Sequence, residues 1–203
     1  MTDFAIIAYS GHAYVVLDSL KALGENVLGY FEQTQKELNP YSLVHLGPES
    51  TDLIQKYPNT FVCIGDNQQR KKLIEKYNLT CASIIDPSAL LSEHFELGKN
   101  TFIGRRVTVN SMASVGNGVI LNTNSVIEHD CILADYVHIA PGAVLCGNVN
   151  VGAGSIIGAN STIIPNISIG TNVVVGAGAV VTKDIPDNHV FIGKTLKERK
   201  WKN

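Results

Sequence analysis

A strict six-residue period runs through the second half of the chain and limits the folds open to it. Every sixth residue is isoleucine, leucine or valine at fifteen consecutive positions. These positions are Leu97, Ile103, Val109, Val115, Leu121, Ile127, Leu133, Ile139, Leu145, Val151, Ile157, Ile163, Ile169, Val175 and Val181. A period of six is typical of a parallel β-helix, in which three hexapeptides form one triangular coil and the recurring side chain points inward. Fifteen hexapeptides predict a prism of five coils.

Two other positions of the hexapeptide are also restricted. Glycine often follows the aliphatic residue, as at Gly98 and Gly152, and small or β-branched residues recur four places after it, from Thr101 to Ala179. We expect the glycine and asparagine residues to lie at the corners and to supply the unusual backbone angles of a sharp bend. Because no long loop interrupts the period, any active site has to be built on the outer surface of the prism.

The first half of the chain, to about residue 85, alternates short apolar runs with segments of helical periodicity. Such alternation predicts a parallel sheet with helical crossovers. The expected strands are 4–8, 27–31, 61–64 and 83–85, and the expected helices are 15–23, 51–57 and 70–77.

Composition excludes several classes of function. The 203 residues include 16 Lys and Arg against 18 Asp and Glu, with no long basic block, so nucleic acid is a poor partner. No apolar stretch reaches the roughly 20 residues that span a bilayer, and the start lacks the features of a signal peptide, so we expect a cytoplasmic protein without membrane insertion. The four cysteines form no Cys-x-x-Cys pair, and we expect buried thiols and no metal.

Several segments together resemble one family. They are Ile-Leu-Asn-Thr-Asn-Ser-Val-Ile-Glu-His-Asp-Cys at 120–131, Val-His-Ile-Ala-Pro-Gly-Ala at 137–143, Gly-Ala-Gly-Ala-Val-Val-Thr-Lys-Asp-Ile-Pro at 176–186, Ser-Gly-His at 10–12, and Ile-Gly-Asp-Asn at 64–67 with Arg70. The chain resembles the sugar acyltransferases of the sialic acid O-acetyltransferase and nucleotide-amino-sugar N-acetyltransferase group. The resemblance implies an α/β plus β chain. A Rossmann-like nucleotide-sugar-binding domain with a parallel sheet (1–85) would precede a left-handed parallel β-helix acetyltransferase domain (86–186) and a C-terminal cap (187–203).

His129 is the expected general base. It lies two places after the inward Ile127, on a position that points out of the prism, and Asp130 beside it would favour the imidazolium. Gly147 stacks one coil, eighteen residues, further along, where its backbone N–H could stabilise an oxyanion. The resemblance adds Asn122 as a polar contact near the base, with a plain corner asparagine as the alternative. It also adds His138 as a contact to the acetyl carbonyl or coenzyme, with a surface histidine as the alternative.

The resemblance also implies where the two substrates bind. The coenzyme arm would lie against Ala159, Gly176 and Ala177 between neighbouring subunits of a homotrimer, with Lys183, Lys194 and Lys197 as candidates for its phosphates. The nucleotide sugar would lie against the first domain, at Ser10, Gly11, His12, Glu32, Gly65 and Asn67. The family loop Gly-x-x-Gly-His has Ala8 in place of its first glycine here.

The expected activity is direct transfer of acetyl from acetyl-CoA to a nucleotide-linked amino sugar, a UDP- or dTDP-4-amino-4,6-dideoxyhexose, in the assembly of a surface polysaccharide or protein glycan. The alternative is a sialic acid O-acetyltransferase, since one base serves an amine or a hydroxyl. A hexapeptide carbonic anhydrase-like enzyme would need three histidine ligands, whereas the chain between Leu97 and Val181 offers only His129 and His138. A noncatalytic scaffold is the remaining alternative. We expect Cys131 to pack in the core, so no covalent acyl-enzyme is required.

Overall fold

The computed structural model describes residues 2–193 and 195–198. The first domain is a four-stranded parallel sheet, in the order β3-β2-β1-β4, with three helices. Its elements are β1 (Asp3–Ile7), α1 (Gly11–Ala22), β2 (Asn26–Phe31), β3 (His45–Gly47), α2 (Thr51–Ile54), β4 (Thr60–Val62) and α3 (Asn67–Lys76). The sheet is confirmed. Strand β3 was not predicted because its three half-buried residues form no apolar run. In the part of the chain described, no helix is long and apolar enough to cross a bilayer.

The second half is a left-handed β-helix of seventeen two-residue strands followed by a hairpin. The strands are β5 (Ile84–Ile85), β6 (Leu90–Leu91), β7 (Glu96–Leu97), β8 (Phe102–Ile103), β9 (Thr108–Val109), β10 (Ser114–Val115), β11 (Ile120–Leu121), β12 (Val126–Ile127), β13 (Ile132–Leu133), β14 (His138–Ile139), β15 (Val144–Leu145), β16 (Asn150–Val151), β17 (Ile156–Ile157), β18 (Thr162–Ile163), β19 (Ser168–Ile169), β20 (Val174–Val175), β21 (Val180–Val181), β22 (His189–Ile192) and β23 (Thr195–Glu198).

The prism begins earlier than the sequence predicted. Strand β5 was expected to end the first sheet, but it pairs with β8 of the prism. Its Ile85, and Leu91 of β6, lie on the same six-residue frame as Leu97. The prism therefore exceeds the five coils expected from a frame that was started at Leu97.

Each strand pairs with the strand eighteen residues along, as Val126 does with Val144, and this pairing builds three flat faces. Face one contains β5, β8, β11, β14, β17 and β20, with β22 and β23 added at the end. Face two contains β6, β9, β12, β15, β18 and β21, and face three contains β7, β10, β13, β16 and β19. The inward aliphatic side chains, such as Ile127, Leu145 and Ile163, are fully buried in one continuous core.

Three edges join these faces. The first edge joins faces one and two at residues 104–107, 122–125, 140–143, 158–161 and 176–179. The second edge joins faces two and three at 92–95, 110–113, 128–131, 146–149 and 164–167. The third edge joins faces three and one at 98–101, 116–119, 134–137, 152–155 and 170–173.

The backbone turns at the third residue after each inward side chain, and not at the glycine that follows it. Fourteen consecutive hexapeptides, from Asn100 to Gly178, place that residue in the left-handed region, with φ between 53° and 69°. Asparagine or glycine supplies this angle at ten of the fourteen positions, as expected, but the glycines that directly follow the aliphatic residue, such as Gly98, do not. A Cβ on Gly98 would lie 2.5 Å from the carbonyl carbon of Gly116, so glycine is required there because the next coil lies too close.

The first domain packs on face one and along the third edge. Phe102 and Ile120 point outward from face one, yet both are fully buried in a cluster that includes Leu17 and Leu20 of α1. Helix α3 lies against the third edge, where Asn67 donates from its amide to the carbonyl oxygens of Gly154 and Ser155 at 2.9 and 3.1 Å.

Arg70 of α3 is the centre of this interface and is 1% exposed. A guanidinium has five N–H groups, and here each has an acceptor. Nε donates to the Gly118 carbonyl at 2.7 Å, Nη1 to the carbonyls of Ile64 and Gly65 at 3.0 and 3.2 Å, and Nη2 to Asn67 Oδ1 and the Tyr136 carbonyl at 2.8 and 3.1 Å. These bonds tie the loop after β4 to two successive coils of the prism.

Two histidines beside Arg70 are held neutral. Burial, with the positive charge that His138 and Arg70 can carry as weaker causes, lowers the pKa of His12 to about 4. Burial also lowers the pKa of His138 to about 4, with Arg70 as the second cause and the Gly65 carbonyl acting in the opposite sense. Both rings are therefore uncharged at neutral pH.

The close approach of the coils predicts different results for two glycines at the same hexapeptide position. A Cβ on Gly152 would lie 2.5 Å from the Gly170 carbonyl carbon, whereas on Gly176 its nearest neighbour would be 3.4 Å away. We expect Gly152→Ala to lower the free energy of unfolding by about 2 kcal/mol. Gly176→Ala should change it by less than about 0.5 kcal/mol in urea denaturation. Equal losses would contradict the steric explanation.

The neutral histidines predict that acid destabilises the protein. The unfolded chain takes up protons at histidine near pH 6.5, and the folded chain does so only near pH 4. Stability from each ring is therefore complete above about pH 6.5 and is lost toward pH 4, by about 1.4 kcal/mol per pH unit. Urea denaturation at several pH values gives the free energy of unfolding as a function of pH. Between pH 4 and 6.5 this free energy should fall less steeply with acid in His12→Asn than in His94→Asn, the matched variant of an exposed histidine. Parallel profiles for the two variants would refute this explanation.

Candidate active site

His129 and Asp130 form an exposed pair on the second edge. His129 Nδ1 lies 2.7 Å from Asp130 Oδ2, and the two side chains are 63% and 56% exposed. A carboxylate accepts, so Nδ1 carries the proton and Nε2 of the neutral ring has a free lone pair. Asp130 takes the left-handed turn of its hexapeptide, a conformation that aspartate tolerates better than most residues.

Gly147 lies directly against the His129 ring. A Cβ at this position would come within 2.6 Å of His129 Nε2, so only glycine leaves room for the imidazole. The Gly147 carbonyl accepts from Asn166, but its own N–H donates no hydrogen bond within residues 2–193 and 195–198. An unused backbone donor therefore lies beside the imidazole, and it is the kind of group that stabilises an oxyanion.

A second polar cluster lies where the first domain meets the first edge. Asn122 Nδ2 is 3.3 Å from His138 Nε2, and His138 Nδ1 is 3.3 Å from the Gly65 carbonyl oxygen. The His12 and His138 rings are 6.5 Å apart, and the buried Nε2 of His12 has no hydrogen-bond partner among the residues described. The fold thus brings together Asn122, His138, His12 and Gly65, four of the residues expected from the sequence.

The residues expected at the coenzyme also lie along the first edge. Ala159, Gly176 and Ala177 follow Asn122 on that edge at coil spacing. A cleft of about 600 Å³ continues past them and is lined by Gly178, Thr182, Lys183 and Phe191. Lys197 is exposed in β23, and Lys194 lies outside the described residues. His129 is on the second edge, so a single chain does not bring the expected base to this row.

The carboxyl ends of the first domain's strands open into a cleft of about 360 Å³. It is lined by residues that include Ala8, Glu32, Ile64, Lys72 and Lys76. The Glu32 carboxylate accepts from the Tyr9 N–H at 3.0 Å and pairs with Lys36 at 3.2 Å. No sequence pattern singles out Lys72 and Lys76, which are ordinary basic residues of α3.

The other residues expected at the nucleotide sugar divide into two groups. Ser10 and Gly11 are exposed at the start of α1, where the Ser10 side chain makes no capping hydrogen bond. Asn67 is buried and already bound to Arg70 and the third edge. Ala8 has φ of 72°, so the loop keeps a glycine-like backbone at a cost of about 1 kcal/mol for alanine.

Arg70 and Thr123 also contribute to the second polar cluster, although no sequence pattern assigns them that role. Arg70 was noticed only as part of a motif, although Asn67, Arg70 and Ile74 recur at helical spacing on the buried side of α3. Thr123 acts through its backbone N–H, which donates to Asn122 Oδ1 at 2.8 Å, and no residue pattern reports such a bond.

Among the residues described, no group of three or more His, Cys, Asp or Glu is placed to hold a metal ion.

Two family models match the chain. Residues 3–77 match the PglD N-terminal domain, and residues 112–147 and 148–183 match the bacterial transferase hexapeptide (six repeats). A GDP-perosamine N-acetyltransferase of Escherichia coli O157:H7 is 30% identical over 69% of this chain, and the match spans 56% of that protein's length. A galactoside O-acetyltransferase of Lactococcus lactis is 30% identical over 68% of this chain and 78% of its own.

Solved structures match almost the whole chain. PerB from Caulobacter crescentus, in complex with CoA and GDP-perosamine, is 32% identical with a TM-score of 0.90 over 97% of each chain. The acetyltransferase domain of PglB from Neisseria gonorrhoeae, in complex with acetyl coenzyme A, is 30% identical with a TM-score of 0.87 over 97% of this chain and 98% of that one. The expected family is thereby confirmed, and the chain belongs to the sugar acetyltransferases that join a PglD N-terminal domain to a left-handed β-helix of hexapeptide repeats.

Proposed function

We propose that the protein transfers acetyl from acetyl-CoA to the amino group of a nucleotide-linked 4-amino-4,6-dideoxyhexose. The observation that carries this proposal is the His129–Asp130 pair beside the unused N–H of Gly147, on a prism whose attached sheet opens into a nucleotide-sized cleft. We also propose that the reaction takes place in the cytoplasm, because acetyl-CoA and nucleotide sugars are intracellular metabolites.

The geometry supports a direct transfer with His129 as base. The sugar amine attacks the thioester carbonyl carbon while its proton passes to Nε2, and the Asp130 carboxylate stabilises the resulting imidazolium. The carbonyl oxygen becomes an oxyanion, to which the N–H of Gly147 donates. When the intermediate collapses, the carbon–sulfur bond breaks, and the coenzyme thiolate leaves with the proton returned by the imidazolium.

We propose that each active site is completed by a second copy of the chain in a homotrimer. Face two lies between the first and second edges, and its outward residues are all aliphatic or threonine, with Leu90 and Val180 69% and 55% exposed. The outward residues are Leu90, Thr108, Val126, Val144, Thr162 and Val180. If face two turns toward a threefold axis, the first edge of each subunit meets the second edge of its neighbour. This contact would bring the first-edge residues Asn122, Ala159, Gly176 and Ala177 of one subunit close to His129 of its neighbour.

The nucleotide sugar would be held by the first domain of the subunit that supplies the first edge. The exposed start of α1 at Ser10 and Gly11 offers free N–H groups to a diphosphate, and Lys72 and Lys76 in the cleft add positive charge. The sequence suggested UDP or dTDP. We propose GDP as the preferred nucleotide, because the Escherichia coli relative is a GDP-perosamine N-acetyltransferase and the Caulobacter crescentus structure is a complex with GDP-perosamine.

A panel of substrates tests the activity. We expect the purified protein to acetylate a GDP-linked amino sugar with kcat/KM at least about tenfold above that for the UDP- and dTDP-linked forms, as released CoA thiol and product mass will show. The galactoside O-acetyltransferase relative makes a hydroxyl acceptor the second candidate. Acetylation of free sialic acid or a galactoside, without acetylation of any nucleotide sugar, would establish that second function instead.

Mixed trimers test both the base and the proposed shared site. His129→Ala should lower kcat by about 10²–10⁴-fold, and Asn122→Ala should also lower it. A trimer refolded from an equal mixture of the two variants contains interfaces at which both residues are intact. In random assembly, about one interface in four pairs an intact Asn122 with an intact His129, so we expect recovery of about a quarter of the original activity.

The mixing experiment has its own controls. Each variant alone, refolded in the same way, measures the background, and His94→Ala measures the effect of removing an exposed histidine from the second edge. Full activity in His129→Ala would remove it from the role of base. No recovery on mixing, with trimers of normal stability, would place the complete site within one chain.

A further inference from the structure

The proton on His138 can be located from the hydrogen bonds around it. The Thr123 N–H donates to one terminal atom of the Asn122 side chain at 2.8 Å, so that atom is the oxygen Oδ1. The other terminal atom is then the amide nitrogen Nδ2, and it faces His138 Nε2 at 3.3 Å. An amide nitrogen only donates, so His138 Nε2 must accept and carries no proton.

The opposite side of the ring leads to the same conclusion. His138 Nδ1 lies 3.3 Å from the Gly65 carbonyl oxygen, which only accepts, so Nδ1 must carry the proton. Arg70 Nη1 donates to that same oxygen at 3.2 Å, which fixes its position. Burial, together with the nearby guanidinium, lowers the pKa of His138 to about 4, and the ring is neutral at working pH.

This arrangement leaves no N–H on the His138 ring to donate to an acetyl group. Nδ1–H is used by Gly65, and Nε2 is occupied by Asn122. The second N–H of Asn122 Nδ2 has no partner in the part of the chain described, and Asn122 is half-exposed on the first edge. The donor available to substrate is therefore on Asn122, and His138 fixes the direction in which it points.

We infer that His138 is a positioning residue, locked as the Nδ1–H tautomer by the Gly65 carbonyl, that aims the free amide N–H of Asn122 at the carbonyl oxygen of the acetyl thioester. The inference rests on the proposed acetyl transfer. It differs from the sequence-based expectation that His138 itself touches the acetyl carbonyl. It also gives the oxyanion two donors, Asn122 from one subunit and Gly147 from its neighbour.

The tautomer can be measured on the unaltered protein. A long-range ¹H–¹⁵N correlation spectrum of ¹⁵N-histidine-labelled protein at pH 8 distinguishes protonated from unprotonated ring nitrogens, and His138→Gln assigns the signals. His45 is an internal reference of the opposite kind, since its Nε2 lies 2.9 Å from the Glu32 carbonyl oxygen. We expect His138 to be protonated on Nδ1 and unprotonated on Nε2. A proton on Nε2, in the neutral or the charged ring, would overturn the inference.

Kinetics test whether His138 acts through Asn122. We expect His138→Met to lower kcat about tenfold with KM for acetyl-CoA nearly unchanged, and His138→Gln, whose amide oxygen can accept from Asn122, to recover most of the loss. In an Asn122→Ala background the same His138→Met change should lower kcat less than about twofold. A further tenfold loss in that background would mean that His138 contacts substrate independently, and would overturn the inference.

The two measurements separate this inference from the proposed function. If the unaltered protein acetylates no sugar, the proposed function fails, and the spectrum still decides where the His138 proton lies. If the protein is active and the proton lies on Nε2, the inference alone fails.

Discussion

The placement of the two domains depends on one buried cation. Arg70 makes no ion pair among the described residues, so the cost of burying its charge is offset by its five hydrogen bonds to neutral acceptors and by the Coulomb attraction of Asp66. Loss of the side chain would leave the carbonyls of Gly118 and Tyr136 without their donors. Because Gly65 accepts from Arg70 and also faces His138, the same interaction fixes both the domain interface and the polar cluster at the first edge.

The architecture of the prism was predictable because a hexapeptide period reports which side chains are buried. The inward positions from Leu97 to Val181 are the second residues of their strands, and the frame also includes Leu91 and Ile85. The period carries no direct information on backbone angle. The turn could therefore be assigned to asparagine and glycine as residue types, but not to the third residue after the aliphatic one, where Asn124 and also Asp130 adopt the left-handed conformation. Strand β3 was missed because it lies at the sheet edge and is only half-buried.

Only part of the candidate site could be found from the sequence. The contact of Gly147 with His129 follows from coil spacing alone, because strands eighteen residues apart are stacked in register. The hydrogen bonds of Arg70 and of the Thr123 N–H could not be found in that way. Most of them involve a backbone group, which any residue supplies, and two of the Arg70 bonds cross from the first domain to the prism, at Gly118 and Tyr136.

The stacking of coils also restricts how proteins of this architecture can change in length. A single inserted residue would turn every later aliphatic side chain from the interior toward water, since side chains on a strand alternate in direction. Insertion of a whole coil preserves the alternation. A coil inserted between Asn100 and Gly118, however, would move Gly118 and Tyr136, which accept from Arg70, away from Asn100, which donates to Leu79 of the same first domain. Evolutionary lengthening by whole coils would therefore be expected beyond Asn172, past the last contact with α3, where an added turn leaves the domain interface intact.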